Sequence, residues 1–147
     1  MLKLKQLTTF LVQQNLVAAE QIDSWVENPQ IIPGGEDMGT GIVLYRQTYD
    51  AVISIERFPH KHVAAELLFA LVCAWLMQND PDRQEIAQPT TDVDVLDDST
   101  ADIEISISFE EDVHGVIDPA GPIDLFGVNY RLADIEIDYA EQGEVTT

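Results

Sequence analysis

Hydrophobic positions along this chain switch between helical and strand spacing several times. Near the start, Leu2, Leu4, Leu7, Phe10, Leu11 and Leu16 recur close to helical intervals, which predicts an amphipathic helix over residues 3–15. Ala18–Val26 reads as a further short helical turn with Ile22, Trp25 and Val26 on one side, and Pro29, Pro33, Gly34, Gly35, Gly39 and Gly41 then punctuate a loop. From Gly41 to Phe58 the period becomes two. Val43, Tyr45, Tyr49, Ala51, Ile53 and Ile55 share one parity, and Ile42, Leu44, Arg46, Thr48, Asp50, Ser54 and Glu56 take the other. Nothing between Tyr45 and Ile53 makes a good tight turn, so one long, bent strand is expected.

The strongest helical pattern follows. Pro59–His62 opens it, and Lys61–Met77 carries Leu67, Leu68, Leu71, Val72, Trp75 and Leu76 at three- and four-residue spacings. Its other side, with Ala64, Phe69, Ala70 and Ala74, is hardly polar. A helix apolar nearly all round lies deep in a core or is shared with another subunit. Trp75, Leu68 and Leu71 are therefore candidate interaction residues. Cys73 in the same run reads as a small buried apolar residue. As the single cysteine it excludes an intrachain disulfide and fits a reducing compartment. Asn79-Asp80-Pro81 stops the helix.

The rest of the chain is strand-like. Thr90–Leu96 and Ala101–Glu110 alternate cleanly around Asp97-Asp98-Ser99-Thr100, which is a hairpin signal, with Ile103, Ile105, Ile107 and Phe109 as the buried row. Val113–Ile117 reads as a further short strand, Asp118–Pro122 as a loop, and Val128–Tyr139 as a last alternating strand. The fold class this implies is α+β: one domain over 1–140, with a mixed or antiparallel sheet and two helices packed on one face, and an acidic, disordered tail over 141–147.

Charge sharpens the picture. The net charge is -20, and residues 84–147 hold 17 acids against the single base Arg131. The acids alternate with apolar residues at Asp92 and Asp94, at Asp102 and Glu104, and at Asp134, Glu136 and Asp138. Strands of this kind have one oily and one anionic face. Such a face repels phosphate and favours a basic or multivalent partner, so Asp134, Glu136 and Asp138 join the candidate interaction residues. Direct, specific nucleic-acid binding is disfavoured because no basic patch exists to release counterions.

Chemical motifs are lacking. The carboxylates are repetitive and face one way, unlike an acid–base pair set apart by different surroundings. Asp92–Asp98 begins like a calcium loop, but Leu96 stands at the fifth position and Asp97 where the sharp turn needs glycine. His60 and His62 are two apart at a helix start, too poorly placed for zinc. No nucleophile elbow, phosphate loop or dinucleotide fingerprint occurs, so neither an enzyme nor a cofactor is expected. Met1–Leu7 has two lysines but no long apolar core, so no signal peptide is expected. Leu67–Met77 is shorter than the roughly 18 residues a membrane span needs. A soluble protein made in a cytoplasm is the expectation.

Several segments together are familiar. Ala74-Trp75-Leu76-Met77-Gln78-Asn79-Asp80-Pro81-Asp82 resembles the helix-ending signature of the tail completion protein R (GpR) family of contractile-tailed temperate bacteriophages. Met1–Leu7 resembles that family's N-terminal helix, Tyr45-Arg46-Gln47-Thr48-Tyr49 its aromatic strand, and Val93–Ile103 its acidic hairpin. The likeness covers residues 1–113 in order and leaves Gly115–Thr147 unplaced. It implies a small structural protein with a tail-terminator-like fold, acting in tail tube capping and head–tail joining. It further implies a homo-oligomeric ring, other tail and connector proteins as partners, and a place in the host cytoplasm during assembly and then in the virion tail. The rival reading is an acidic DNA mimic that inhibits a nucleic-acid-binding protein, and a divalent-dependent enzyme comes third.

Overall fold

A computed structural model describes residues 1–37, 41–83 and 85–133. Its elements are helix α1 (Leu2–Gln13), a short 3-10 turn (Ala19–Gln21), strand β1 (Ile22–Asp37), β2 (Gly41–Phe58), helix α2 (Ala65–Asn79), β3 (Thr90–Val95), β4 (Ala101–Ile117), β5 (Ile123–Leu125) and β6 (Val128–Leu132). The strands form one antiparallel sheet in the order β1-β2-β4-β6-β5, with β3 paired to β4. The class is α+β, as the spacing predicts, and the sheet is antiparallel rather than mixed. The chain divides into two compact units: Met1–Pro29 with Tyr49–Phe109, and Gln30–Thr48 with Glu110–Thr147.

The first unit holds the oily core. Leu4, Leu7 and Leu11 of α1 and Leu68, Val72, Trp75 and Leu76 of α2 pack over the odd-numbered rows of β2 (Tyr49, Ala51, Ile53, Ile55) and β4 (Ile103, Ile105, Ile107, Phe109). Both helices thus cover one face. Each leucine, isoleucine, valine or phenylalanine among them contributes about 1.5–3 kcal/mol when fully buried. Arg57 takes a left-handed backbone (φ 55) that breaks the alternation of β2 and turns Phe58 back into the core.

Phe109 is the junction of that core. Its ring lies 5.8 Å from Tyr49 and 6.3 Å, edge to face, from Trp75. The Arg83 guanidinium sits 5.7 Å from its centroid. Arg83 is held there by Asp80, a buried carboxylate that also takes Lys3: Arg83 Nη1 is 2.6 Å and Lys3 Nζ 2.7 Å away. Asn79 Nδ2 donates to the Trp75 carbonyl at 3.0 Å. The Trp75–Asp82 signature is therefore a latch, fastening the end of α2 to the start of α1 and to β4.

Five expectations need correcting. Residues 22–26 are strand, not helix, and the Pro- and Gly-rich stretch from Pro29 continues as β1 to Asp37 instead of forming a loop. β1 ends the sheet order, and an outer strand tolerates prolines because half of its N–H groups have no ladder to serve. The second helix starts at Ala65, not Lys61, because the Pro59 carbonyl accepts from the N–H groups of His62 and Val63 in a tight turn first. Val113–Ile117 is the continuation of β4, not a separate strand. Cys73 is exposed, since the core-facing side of α2 is set by Leu68, Val72, Trp75 and Leu76. The tail at 141–147, Gly39 and residues 134–139 of the last expected strand lie outside the described residues.

The second unit is less oily. Arg46 on β2 bonds Asp112 on β4 at 3.0 Å, with Glu110 at 3.8 Å. β6 pairs with β4 through Gly115↔Leu132, Val116↔Arg131 and Ile117↔Tyr130. The Asp118–Gly121 turn folds against β6 so closely that a Cβ on Gly121 would strike the Tyr130 carbonyl oxygen.

Candidate interaction surfaces

The β3–β4 hairpin displays the anionic face. Its turn is built by Asp97, whose Oδ1 accepts from Ser99 N at 2.8 Å, Thr100 N at 2.7 Å and Thr100 Oγ1 at 3.0 Å. These donors, the Ser99 N–H first, hold its carboxyl below the ordinary carboxylate value. The register then sets acid against acid: Asp92 opposes Glu104, and Asp94 opposes Asp102. Like charges directly opposite across strands destabilise a sheet. Asp102 accepts from the Arg57 backbone N–H at 2.9 Å. Among the described residues no cation pairs with Asp92, Asp94 or Glu104. Other bases are engaged elsewhere: Arg83 and Lys3 on Asp80, Arg46 on Asp112, and Arg131 on Asp118 at 3.7 Å.

Asp50 uses the same face differently. It accepts from Ser108 Oγ at 2.7 Å and Asn28 Nδ2 at 3.0 Å, stitching β1, β2 and β4 together. Those two bonds, Asn28 first, lower its pKa against the opposing pull of burial. This carboxylate serves the fold, whereas among the described residues Asp92, Asp94 and Glu104 bond no side chain of it.

Apolar side chains stay uncovered on several elements among the described residues, α2 and the β5–β6 hairpin among them. On α2, Leu67 (46% exposed), Ala70, Cys73 and Met77 (71%) run along the side opposite the core. At the β5–β6 hairpin, Phe126 and Gly127 form a two-residue turn between Leu125 and Val128, both with positive φ (53 and 84). That is the I′ turn pattern, and Gly127 suits it, whereas a phenylalanine in the left-handed region is strained. Asp124 Oδ1 accepts from the Gly127 N–H at 3.0 Å. The Phe126 ring is 97% exposed.

The sequence candidates are distributed as follows. Leu68 and Trp75 fill the core of the first unit, and Leu71 is half-buried beside them. Asp134, Glu136 and Asp138 lie outside the described residues. Phe126 carried no signal in the sequence: only Gly127 marks the turn, and a tight hairpin ordinarily places Asn, Asp or Gly where Phe126 stands. Among the described residues no cluster of three or more His, Cys, Asp or Glu side chains is placed to hold a metal ion, and no helix is long and apolar enough to cross a membrane.

No solved structure matches the chain. It is 31% identical over 125 residues to an uncharacterized 19.2 kDa protein from the rep-hol intergenic region of Haemophilus phage HP1 (strain HP1c1), covering 83% of this chain and 75% of that one. The family model described as P2 phage tail completion protein R (GpR) matches residues 1–134, so the likeness runs past Val113 through β5 and β6. This chain belongs to the P2 phage tail completion protein R (GpR) family.

Proposed function

We propose that this protein is a structural component that completes the phage tail by capping the tail tube and preparing it for joining to the head, acting as a homo-oligomeric ring. The observation that carries this reading is the family match over residues 1–134, nearly the whole chain. The surfaces support it physically. Opposed acids on β3 and β4 and a strained, exposed Phe126 both cost stability in the isolated chain. Their return lies outside it, in contacts with neighbours.

In this reading the outer side of α2, with Leu67, Ala70, Cys73 and Met77, supplies the contact between ring subunits, while Leu68 and Trp75 brace it from beneath and Leu71 borders it. A head-to-tail contact of this kind closes into a ring when its rotation permits. The anionic face of β3 and β4 either lines the lumen or meets a basic rim on a tube or connector protein, and the acids Asp134, Glu136 and Asp138 are proposed to act in the same contacts. Like charges in a lumen keep DNA from adhering within a Debye length of about 8 Å at physiological salt.

Assembly in the absence of the protein tests this. Phage lacking it are expected to accumulate filled heads beside tails that are unjoined or of uncontrolled length, seen by electron microscopy. Normal, infectious particles would end the proposal.

A further inference from the structure

Strand β3 is a short edge with all six residues, Thr90–Val95, exposed. It pairs with β4, and among the described residues its other side meets no strand. That side presents backbone N–H and C=O groups in the row that an added strand uses.

The side chains say which strand fits. Residues on an added strand fall into the two rows that β3 already defines. One row is apolar: Val93 and Val95, 45% and 64% exposed, continue outward from Ile103 and Ala101, which are buried. The other row is acidic: Asp92 and Asp94 continue from Glu104 and Asp102. A second copy of β3 would set more aspartates beside these. The chain's own segment 134–147, with Asp134, Glu136, Asp138, Glu141 and Glu144, would do the same. A strand bearing Lys or Arg at alternate positions relieves the opposed pairs instead. Just past Val95, an open cleft of about 640 Å³ is lined by Glu20, Gln21, Glu56, Arg57, Leu96 and Asp102. Three of those six are carboxylates, and the cleft gives a long basic side chain room to lie along Leu96 with its charge among them.

We propose that the outer edge of β3 takes an extended segment of a neighbouring virion protein as an added strand, one in which Lys or Arg alternates with apolar residues. The proposal rests on the docking role above and names the chemistry of the partner. Backbone pairing supplies the hold, and the acidic row supplies orientation and fast encounter.

Short fluorescent peptides test it on the full-length protein. A Lys–Val alternating peptide is expected to bind, with affinity falling about tenfold or more as salt is raised from low to physiological. The same peptide with a central proline in place of valine keeps its charge but cannot complete the ladder, and is expected to bind about tenfold more weakly. D92N/D94N is expected to weaken the Lys–Val peptide by a similar factor while retaining the wild-type circular dichroism spectrum. Hydrogen exchange on the wild-type protein gives the independent readout: amides within 90–95 slow when the Lys–Val peptide binds. Equal binding of the proline peptide, or unchanged exchange in β3, would overturn strand addition. No peptide binding in a protein that is still required for virions would sink the edge pairing alone. Normal virions without the protein would sink the tail role itself.

Discussion

The two halves of β4 are one strand with two fates. Ala101–Phe109 alternates buried and open positions without a break, and its inner row lies beneath both helices. Glu110–Ile117 is open or half-buried except at Gly115, and it is held by β6 and by the Arg46 ion pairs. The first half is where the sequence places its oil; the second is where it places Glu110, Glu111 and Asp112 in succession. The difference separates a half of the strand packed in oil from a half held by ion pairs and by β6. Stability resides around Phe109. The surfaces that bring no return to the fold, Phe126 and the Asp92/Asp94 row, depend little on that core and can be changed without losing it.

The largest expected effect is at the junction. Phe109→Ala removes the ring shared by Tyr49, Trp75 and Arg83 and should lower unfolding free energy by about 3–5 kcal/mol in urea titrations. Next is the latch. Asp80→Ala leaves Lys3 and Arg83 without their buried acceptor and should cost about 3 kcal/mol, with Asp80→Asn milder. A loss as small as that of a surface substitution in either case would break the assignment of stability to the first half of β4.

Surface changes should run the other way. D92N/D94N removes two directly opposed like-charge pairs and should raise stability by about 0.5–1 kcal/mol, most visibly at low salt. Phe126→Asn places a residue that tolerates positive φ in the turn and should raise melting slightly, by about 0.5 kcal/mol, while reducing assembly into particles. A marked loss of stability in either variant would show that the surface belongs to the fold after all.

The smallest effect concerns pH. Asp50 has a folded-state pKa below its ordinary value, so its contribution is complete above that value and is lost as pH falls through the folded one. Stability should therefore decline as the pH drops below the usual carboxylate range, and Asp50→Asn should flatten that part of the curve in acid titrations followed by circular dichroism.

Much of this was legible in the chain. Period-two spacing gave β2 from Gly41 to Phe58 with its bounds, and the hairpin turn at Asp97–Thr100 fixed the register that opposes the acids. Legibility failed where tertiary context overrides local signals. Pro29, Pro33 and Gly34 look like loop residues, yet the place of β1 at the end of the sheet lets them extend. Composition alone could not tell which side of α2 turns inward, because Leu67 and Leu71 are as oily as Leu68 and Val72; the helix offset settles it and leaves Cys73 outside. The latch was visible only as a resemblance, since the partners Lys3, Asp80 and Phe109 are far apart in sequence.

The central claim is that this protein works by binding other parts of the tail, and co-sedimentation with tail tubes purified from phage lacking it tests that most directly. Wild-type protein should pellet with the tubes and release as salt is raised, with D92N/D94N and Phe126→Asn pelleting less. Protein that stays in the supernatant at every salt concentration, while remaining folded, would contradict the account.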